Sequence, residues 1–435
     1  MTRAGLQDRV APQTVLRRLF DAAVGAALPS LVVPPGLPKP PSGRTVVIGA
    51  GKAAAAMAQA VEDAWPGSVS GLVITRYGHG AACRHIEVVE AAHPVVDAAG
   101  LAGTSRLLEQ LQDLTGDDLV LCLLSGGASA LLAAPAPGVT LADKQAVTRA
   151  LLRSGTTIAE INCVRKHLSA VKGGRLARLA SPARIVTLAI SDVPDDDPSA
   201  IGSGPTVPDP TTRQRALAIL ERDLPRIPEV VRAHLLDPTS ETPKPDPDHP
   251  VDFRLVATPA LAIAAAADLA RGLGYAPLVL GSDLEGEATA VAEAHAGLVR
   301  RILSGDGPIA PPCAILSGGE TTVSVRGGGR GGRNSEFLLA LAVALDGAPG
   351  VHALAADTDG IDGSEDNAGA IIGPDTLHHA RRLSVSAAGR LADNDAYGFF
   401  TRVGGLVMTG PTRTNVNDFR AILIEGPPAP SKEPT

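Results

Sequence analysis

The chain has 435 residues, of which 45% are hydrophobic, 20% are charged and 2% are aromatic, and its net charge at pH 7 is −7. A chain of this length and hydrophobic content can bury a large core and form two domains. The acidic balance and the shortage of aromatic rings argue against binding of double-stranded or single-stranded nucleic acid, so we expect no nucleic-acid partner.

The cysteines and the apolar segments indicate the compartment. Cys83, Cys122, Cys163 and Cys313 form no CxxC pair, which argues against a zinc site or a disulfide framework and favours buried thiols in a reducing environment. The N-terminus has no signal-peptide pattern, and the longest strongly apolar helical stretch, residues 337–345, is far shorter than the roughly 20 residues that cross a bilayer. We predict a cytoplasmic protein with no membrane partner, and the sequence leaves a homodimer open.

A short apolar run, a glycine-rich turn and a helical pattern recur along the chain. Strands that are apolar on both faces and alternate with helices are typical of parallel sheets covered on both sides. We therefore predict an α/β fold with two domains, each with a largely parallel sheet flanked by helices. The runs that carry this pattern are residues 45–64, 119–132, 184–192, 313–325 and 351–363.

Two proline-rich stretches interrupt this pattern. We expect residues 29–43 to form a loop before the first strand, and residues 237–250 to form a linker between domains. A boundary near Pro243 predicts domains at 1–242 and 243–435. We expect the proline-rich tail from residue 426 to be frayed.

The first candidate site is the turn Gly49-Ala50-Gly51-Lys52, which follows a predicted strand and opens a helix. The amides of such a turn can face an anion, and the Lys52 ammonium adds a full charge. The turn is neither a Walker A loop nor a GxGxxG fingerprint, since Ala54 stands at the third glycine position. A solvated lysine at the start of a helix is the alternative interpretation.

The second candidate lies in residues 191–212, rich in aspartate, glycine and proline. Asp192 directly follows an apolar strand, where a carboxylate can hold Mg²⁺ or accept a proton. The acidic run at residues 195–197 is typical of a solvated loop, whereas the GSGPT segment at residues 202–206 resembles a turn that holds an anion.

The third candidate places Arg330 and Arg333 among five glycines, just before a long apolar helical pattern. Two guanidinium groups beside the positive end of a helix favour an anion at that point. The alternative is that Asn334 or Ser335 only caps the helix.

The remaining candidates are a carboxylate-rich segment at residues 356–370 and a polar segment at residues 409–419. The first lacks the spacing of an EF-hand and fits a Mg²⁺-phosphate site better. The second supplies Arg413, Asn415 and Asn417 after a short apolar strand, residues 405–408. For His167, beside other cations, we expect a structural or capping role. Lysine, arginine and carboxylate groups on glycine turns, without a Ser-His-Asp set, suit phosphoryl transfer.

Seven ordered motifs resemble the glycerate 2-kinase family, in which a Rossmann-like domain precedes a MOFRL domain and whose members are often named hydroxypyruvate reductase. The motifs are GAGKA at residue 49, LLSGGASALL at 123, NCVRKHLSAVKGGRLA at 162, SDVPDDDPSAIGSGPTVPDPTT at 191, GGRNSE at 331, DTDGIDGSEDNAGA at 357 and TNVND at 414.

The resemblance implies transfer of the γ-phosphoryl group of ATP to the 2-hydroxyl of D-glycerate, with Mg²⁺ as cofactor and an active site in the cleft between domains. By matching positions it implies Lys52, Asp192 and Arg333 as the catalytic set, and Asp192 and Asp359 as metal ligands. The substrate- and nucleotide-binding positions are Gly49, Gly51, Ser125, Gly126, Gly127, Ser203, Gly204, Glu320, Asn334, Asn415 and Asn417.

Two departures and two other functions stay open. The family usually has glycine where this chain has Asp195 and Arg413, and Arg413 either binds a substrate carboxylate or faces solvent. An NAD(P)H-dependent hydroxypyruvate reductase is the main alternative, although no GxGxxG with an acidic ribose anchor at a second strand is found. A non-catalytic protein that binds sugar acids or phosphate is the third reading.

Overall fold

The structure is a computed structural model that describes residues 10–246 and 251–426. Three short 3₁₀ helices, at Pro194–Asp196, Ile201–Ser203 and Pro238–Ser240, accompany the main elements. In chain order these are α1 (Pro12–Gly25), α2 (Pro29–Gly36), β1 (Thr45–Ala50), α3 (Ala54–Ala64), β2 (Ser70–Arg76), β3 (Ile86–Ala91), α4 (Ala98–Glu109), β4 (Leu119–Leu124), α5 (Ala128–Leu131), α6 (Leu141–Arg153), α7 (Ile158–His167), α8 (Arg175–Ala180), β5 (Arg184–Ile190), α9 (Arg213–Asp223), α10 (Glu229–Leu236), β6 (Asp252–Ala257), α11 (Pro259–Gly272), β7 (Ala276–Glu287), α12 (Ala288–Leu303), β8 (Cys313–Thr322), α13 (Arg333–Leu345), β9 (Val351–Asp357), β10 (Gly369–Ile372), α14 (Thr376–Arg382), α15 (Ala387–Ala392), α16 (Ala396–Val403), β11 (Leu406–Val407) and β12 (Asp418–Ile424).

These elements form two units with one six-stranded sheet each. The parallel-sheet unit comprises Leu28–Thr258 and Arg413–Asn415, and the mixed-sheet unit comprises the other described residues. Strand β6 thus belongs to the first sheet, while the domain boundary near residue 243 stays a prediction. Residues 247–250 of the expected linker, and the expected frayed tail from residue 427, lie outside the described residues.

The first sheet has the order β3-β2-β1-β4-β5-β6, and all its strand pairs are parallel. Every residue of β1 and β4 is buried, as expected for central strands that are apolar on both faces. The chain winds outward from β1 through β2 to β3, and then returns to place β4 on the other side of β1. In open sheets of this kind ligands bind beyond the carboxyl ends of the two strands at the reversal, which here are β1 and β4.

Two helical layers and a helical cluster surround this sheet. Alternate residues of β1, among them Val46 and Ile48, share a core with Leu107 of α4 and Leu176 of α8. Helix α3 packs against β1, β2 and β4. Helices α6, α7, α9 and α10 form a separate apolar cluster. His167 lies beside this cluster, where its Nδ1 is 2.9 Å from the Cys163 carbonyl oxygen, so its role is structural as expected.

The second sheet has the order β11-β10-β9-β12-β8-β7 and is largely antiparallel, so the prediction of a second, largely parallel sheet is wrong. Strands β7 and β8, which α12 connects, are the parallel pair of this sheet. Between β9 and β10, however, residues 358–368 are too short for a crossover helix, so these strands pair antiparallel. The buried last strand, β12, inserts between β8 and β9 and runs antiparallel to both.

The N-terminal helices differ from the expected loop. Residues 29–36 form α2, because Pro29 occupies the first helical position, where no intrahelical N–H is needed, and Pro34 and Pro35 lie only in the last turn. Among the described residues, one segment, Pro12–Gly36, is long and apolar enough to cross a membrane, so residues 337–345 are not the longest apolar helical stretch. Buried core helices pass the same test, and α1 packs against α11, β9 and β12, with the Phe20 ring 6.1 Å from that of Phe419.

Candidate active site

The turn after β1 is packed tightly against the turn after β4. Gly51 has φ +135°, a conformation that favours glycine, and a Cβ atom there would lie 2.1 Å from Ser125 Oγ. Gly49 is a buried residue of β1, and a Cβ atom there would lie 2.3 Å from the Leu123 carbonyl oxygen. The two turns therefore pack as one rigid unit at the carboxyl ends of β1 and β4, where the strand order reverses.

The amides of the first turn are engaged by the protein itself. Gly51 N donates to the Ile74 carbonyl at 3.0 Å, and Lys52 N donates to the Gly126 carbonyl at 2.8 Å. Ala53 N donates to Ser125 Oγ at 3.0 Å. The expectation that these amides face an anion is therefore wrong. Strand β2 and the turn after β4 already accept their hydrogen bonds. The remaining part of that prediction is that the Lys52 ammonium, on a half-buried side chain, binds the anion.

A carboxylate and an amide meet directly over the second turn. Asp192 lies two residues beyond the end of β5, and Asn415 Nδ2 donates a hydrogen bond to its Oδ2 at 2.9 Å. A Cβ atom on Gly126 would lie 2.1 Å from both Asp192 Oδ2 and Asn415 Nδ2. The structure thus brings together predicted site residues from three separate segments of the chain: Ser125 with Gly126, Asp192, and Asn415.

The segment around Ser203 closes this edge of the sheet. Ser203 is buried with φ +64°, and its Oγ lies 2.7 Å from Ser129 Oγ, just beyond Gly127 at the start of α5. The amides of Ser203 and Gly204 donate to the carbonyls of Ala200 and Ile201, so the expected anion-holding turn satisfies its own amides instead. Ser203 and Gly204 therefore fix the backbone of this loop against α5.

In the mixed-sheet unit, Arg333 is surrounded by carboxylates. Its Nε donates to Asp418 Oδ1 at 2.8 Å, one terminal nitrogen donates to Asp357 Oδ2 at 2.9 Å, and the other donates to Glu320 Oε1 at 2.6 Å. These three charges raise the pKa of Arg333 despite its burial. The Asn334 amide also donates to Asp418, at 2.7 Å. We call Arg333, Glu320, Asp357 and Asp418 the Arg333 network.

The helix that Arg333 begins, α13, is capped by Asp362. The carboxylate accepts hydrogen bonds from Asn334 N at 2.9 Å, from Ser335 N at 2.8 Å and from Ser335 Oγ at 2.6 Å. Burial raises the pKa of Asp362, and the hydrogen bonds oppose that rise. The alternative interpretation, in which Asn334 or Ser335 caps the helix, is thus wrong, because both residues donate to a carboxylate from the following loop.

The carboxylate-rich loop after β9 serves mainly the chain itself. Arg330 pairs with Glu365 and lies 4.8 Å from the centre of the Tyr397 ring, while Tyr397 donates to Asp366 at 2.8 Å. Asp359 Oδ1 accepts a hydrogen bond from Ile361 N at 2.9 Å. No group of three or more His, Cys, Asp or Glu side chains that could hold a metal ion occurs within the described ranges.

Three predicted positions have left-handed backbone. Asn417 is buried with φ +64°, and its carbonyl accepts from Thr358 Oγ1 at 2.7 Å. Asp195 and Arg413, the two positions where the resemblance leads us to expect glycine, are exposed with φ +58° and +63°. The chain therefore keeps a glycine-like conformation at both positions without glycine.

Sequence reasoning missed Lys172. Its ammonium is buried and donates to the Ser129 carbonyl at 2.8 Å, with the carbonyls of Leu132 and Gly202 at 3.4 Å. It thereby links α5 to the loop that holds Ser203. The signal was present in the motif NCVRKHLSAVKGGRLA, which places several cations in a segment of apolar spacing.

Comparisons with known proteins agree with this architecture. Residues 15–236 match DUF4147, a domain of unknown function, and residues 313–418 match the MOFRL family. A provisionally named hydroxypyruvate reductase of Agrobacterium vitis is 53% identical, with 95% of each chain covered. A D-glycerate 2-kinase of Thermotoga maritima is 39% identical over 93% of this chain and 97% of the relative.

The solved structures give the same result. The crystal structure of a glycerate kinase from Thermotoga maritima superposes with a TM-score of 0.87 at 37% identity, covering 95% of this chain and 99% of that one. The predicted two-domain α/β fold is confirmed at this level. The chain belongs to the glycerate kinase family in which a DUF4147 domain is joined to a MOFRL domain.

Proposed function

We propose that this protein is a D-glycerate 2-kinase, which transfers the γ-phosphoryl group of ATP to the 2-hydroxyl of D-glycerate. Near full-length similarity to a named D-glycerate 2-kinase supports the assignment. The observation that carries it is the Asp192–Asn415 pair over Gly126, at the carboxyl edge where the strand order reverses. A carboxylate at such an edge can accept the proton of an attacking hydroxyl.

In this proposal the carboxylate of Asp192 receives the proton of the 2-hydroxyl. The hydrogen bond from Asn415 fixes the orientation of that carboxylate. Lys52 lies in the turn after β1, which packs tightly against the turn after β4. Its ammonium supplies positive charge to the transferring phosphoryl group. Such charge is most effective when it is held in place before the reaction, because no reorganisation is then needed.

Arg333 enters the proposal as a residue that binds the substrate by exchanging a partner. Its Nε and one terminal nitrogen are fixed on the buried carboxylates of Asp418 and Asp357. The partner at the other nitrogen, Glu320, has a side chain that is 56% exposed. We propose that an anionic substrate group replaces Glu320 there, since a guanidinium binds carboxylates and phosphates in the same geometry.

Mg²⁺ belongs to the proposal with a limited contribution from the protein. Since Mg²⁺ is usually held by one or two carboxylates together with substrate phosphates, the single carboxylate of Asp192 fits it. We propose Asp359 separately, as a candidate Mg²⁺ ligand within the mixed-sheet unit, where its Oδ1 already accepts from Ile361 N. When bound, the ion would neutralise charge on the phosphates of ATP.

The names of some relatives support a hydroxypyruvate reductase instead, and the first sheet has the strand order of dinucleotide-binding folds. In such folds the amides after β1 hold the cofactor pyrophosphate. Here the amides of Gly51, Lys52 and Ala53 all donate to protein acceptors. The end of β2 carries Thr75 and Arg76 rather than an acidic ribose anchor. These contacts favour the kinase.

The assignment is tested by phosphorus NMR of the product formed from D-glycerate, ATP and Mg²⁺, beside an assay of hydroxypyruvate with NADH and NADPH. We expect 2-phosphoglycerate and ADP. Predominant 3-phosphoglycerate would contradict the regiochemistry, and oxidation of the nicotinamide without ADP formation would establish the reductase. Binding of D-glycerate with neither product would leave a non-catalytic binding protein.

A further inference from the structure

Three cations of the parallel-sheet unit have no acidic partner among residues 10–246 and 251–426. Within these ranges, Lys172 donates only to backbone carbonyls. Lys144 lies in the first turn of α6 and Arg165 in the last turn of α7, and these helices pack against each other. Within the described part of the chain, neither the Lys144 nor the Arg165 side chain forms an ion pair or a hydrogen bond. We call Lys144, Arg165 and Lys172 the basic cluster.

The acidic side chains of the same helices are engaged elsewhere. Asp143, next to Lys144, forms a capping box with Thr140. Glu160 of α7 accepts two hydrogen bonds from Arg222, at 2.9 and 2.8 Å. The basic cluster is therefore not neutralised by its own helices.

Burial lowers the pKa values of all three side chains, and neighbouring cations lower them further at Lys144 and Lys172. Burial, followed by the charge of Arg165, lowers the pKa of Lys144 to about 8. Burial lowers the pKa of Arg165. Burial, followed by the charges of Lys144 and Arg165, holds the pKa of Lys172 well below its usual value. A cation near the N-terminus of α6 is also opposed by the helix dipole, which favours an anion there.

The basic cluster adjoins the edge already described. Lys172 reaches the carbonyls of Ser129 and Gly202, and Ser129 is paired through its hydroxyl with Ser203. Lys144 and Arg165 are half-buried, so a ligand can reach them. The buried Lys172 side chain donates to the Ser129 and Gly202 carbonyls and so positions that backbone.

We infer that the basic cluster binds the phosphate chain of the nucleotide, with Arg165 and Lys144 in direct contact and Lys172 as a positioning residue. This inference rests on the proposed use of ATP. Three cations match a triphosphate better than the single charge of the glycerate carboxylate, and an arginine fork beside a lysine is a common phosphate-binding pair.

The test compares Arg165→Gln, Lys144→Gln and a control, Arg149→Gln, which removes an exposed cation of α6. Binding of inorganic tripolyphosphate and of D-glycerate is followed by the shift in Tm and by calorimetry on the full chain, and KM is measured for ATP and for D-glycerate. We expect Arg165→Gln to weaken tripolyphosphate binding at least ~10-fold, since a bidentate charged contact is lost. The KM for ATP should rise while D-glycerate binding stays the same. Arg165→Lys should restore part of the loss.

A second readout separates a binding role from a structural one. Without added anions, Lys144→Gln should unfold at the same Tm as the wild type or higher, because repulsion within the basic cluster is relieved. Unchanged tripolyphosphate binding in both variants would overturn the inference. Loss of D-glycerate binding alone would overturn the polyphosphate assignment in favour of a carboxylate site. If the wild type binds tripolyphosphate through the basic cluster yet phosphorylates no glycerate, only the proposed kinase fails.

Discussion

The Arg333 network and the basic cluster are both built from cations near glycine turns, but they are neutralised very differently. Arg333 donates to three carboxylates, whereas Lys144 and Arg165 form no ion pair within the described residues. The loops beside the basic cluster also hold several non-glycine residues in left-handed conformations, among them Asp195 and Ser203. Unrelieved charge and backbone strain are typical of binding sites, whereas an arginine paired with buried carboxylates also contributes to the stability of the fold, whatever it binds at its exposed nitrogen. The two regions should therefore respond in opposite ways to mutation.

The largest expected effect is the loss of catalytic activity when the charge of Asp192 is removed. Asp192→Asn preserves the shape of the side chain but removes the charge that accepts a proton, so kcat should fall by roughly 10²- to 10⁴-fold. The Tm should stay close to that of the wild type. Steady-state kinetics and thermal unfolding measure both. The control is Asp197→Asn in the same loop, which should remain active because, among the residues that the structure describes, that carboxylate accepts hydrogen bonds only from Ser199. An unfolded Asp192→Asn protein would assign this aspartate to the fold.

The opposite effect is expected in the Arg333 network. Arg333→Met removes the ion pairs of Arg333 with the buried carboxylates of Asp357 and Asp418. Because Asp418 keeps its ion pair with Arg420, the free energy of unfolding should fall by at most the roughly 3–5 kcal/mol that is typical of breaking a buried ion pair. Arg330→Met is the matched control, because the Arg330 side chain is 66% exposed and its pairing should contribute no more than about 1 kcal/mol. Urea unfolding measures the difference. Equal stabilities of the two variants, with activity lost only in Arg333→Met, would make Arg333 a site residue rather than a structural one.

The smallest effect concerns the strained backbone. A left-handed conformation costs a residue with a Cβ atom about 1–2 kcal/mol, a cost that glycine avoids. Because glycine also makes the unfolded chain more flexible, part of this gain in stability is offset. Arg413→Gly should therefore be more stable than Arg413→Ala by about 0.5–1 kcal/mol. Both variants lose the guanidinium, so the comparison isolates the effect of φ. Thermal unfolding of the pair measures this difference. If the alanine variant is equally stable, the strain at residue 413 is absent. If both variants raise the KM for D-glycerate, Arg413 binds the substrate.

The sequence was informative where structure is local. The strands β1, β4, β5, β8 and β9 follow directly from apolar runs bounded by glycine or polar residues, and the polar groups at their ends were recognised as site candidates. The use of those groups was not predictable, because it depends on partners distant in sequence. Whether the Lys52 amide is available is decided by Gly126, and whether Arg333 is available is decided by Asp418. The spacing of apolar residues along the sequence does not predict such contacts between distant residues.

The same limit explains the second sheet. The apolar runs that contain β8 and β9 were recognised, and a largely parallel sheet was predicted from them, but nothing in that pattern reveals that β12 occupies the gap between β8 and β9 and pairs antiparallel with both. For α2, three prolines pointed to a loop, and only their positions at the two ends of a short helix make the helix possible.

The central place of β12 has a consequence for how the protein is made. The strands of the parallel sheet lie between residues 45 and 257, so that sheet is complete well before synthesis ends. The second sheet lacks a middle strand until residues 418–424 leave the ribosome, and α1, synthesised first, packs against that same strand. Until then β8 and β9 each expose an unpaired edge, which is a template for association with other chains. We therefore expect the nascent chain to be most prone to association with other chains after β9 has been synthesised and before residues 418–424 have joined the sheet.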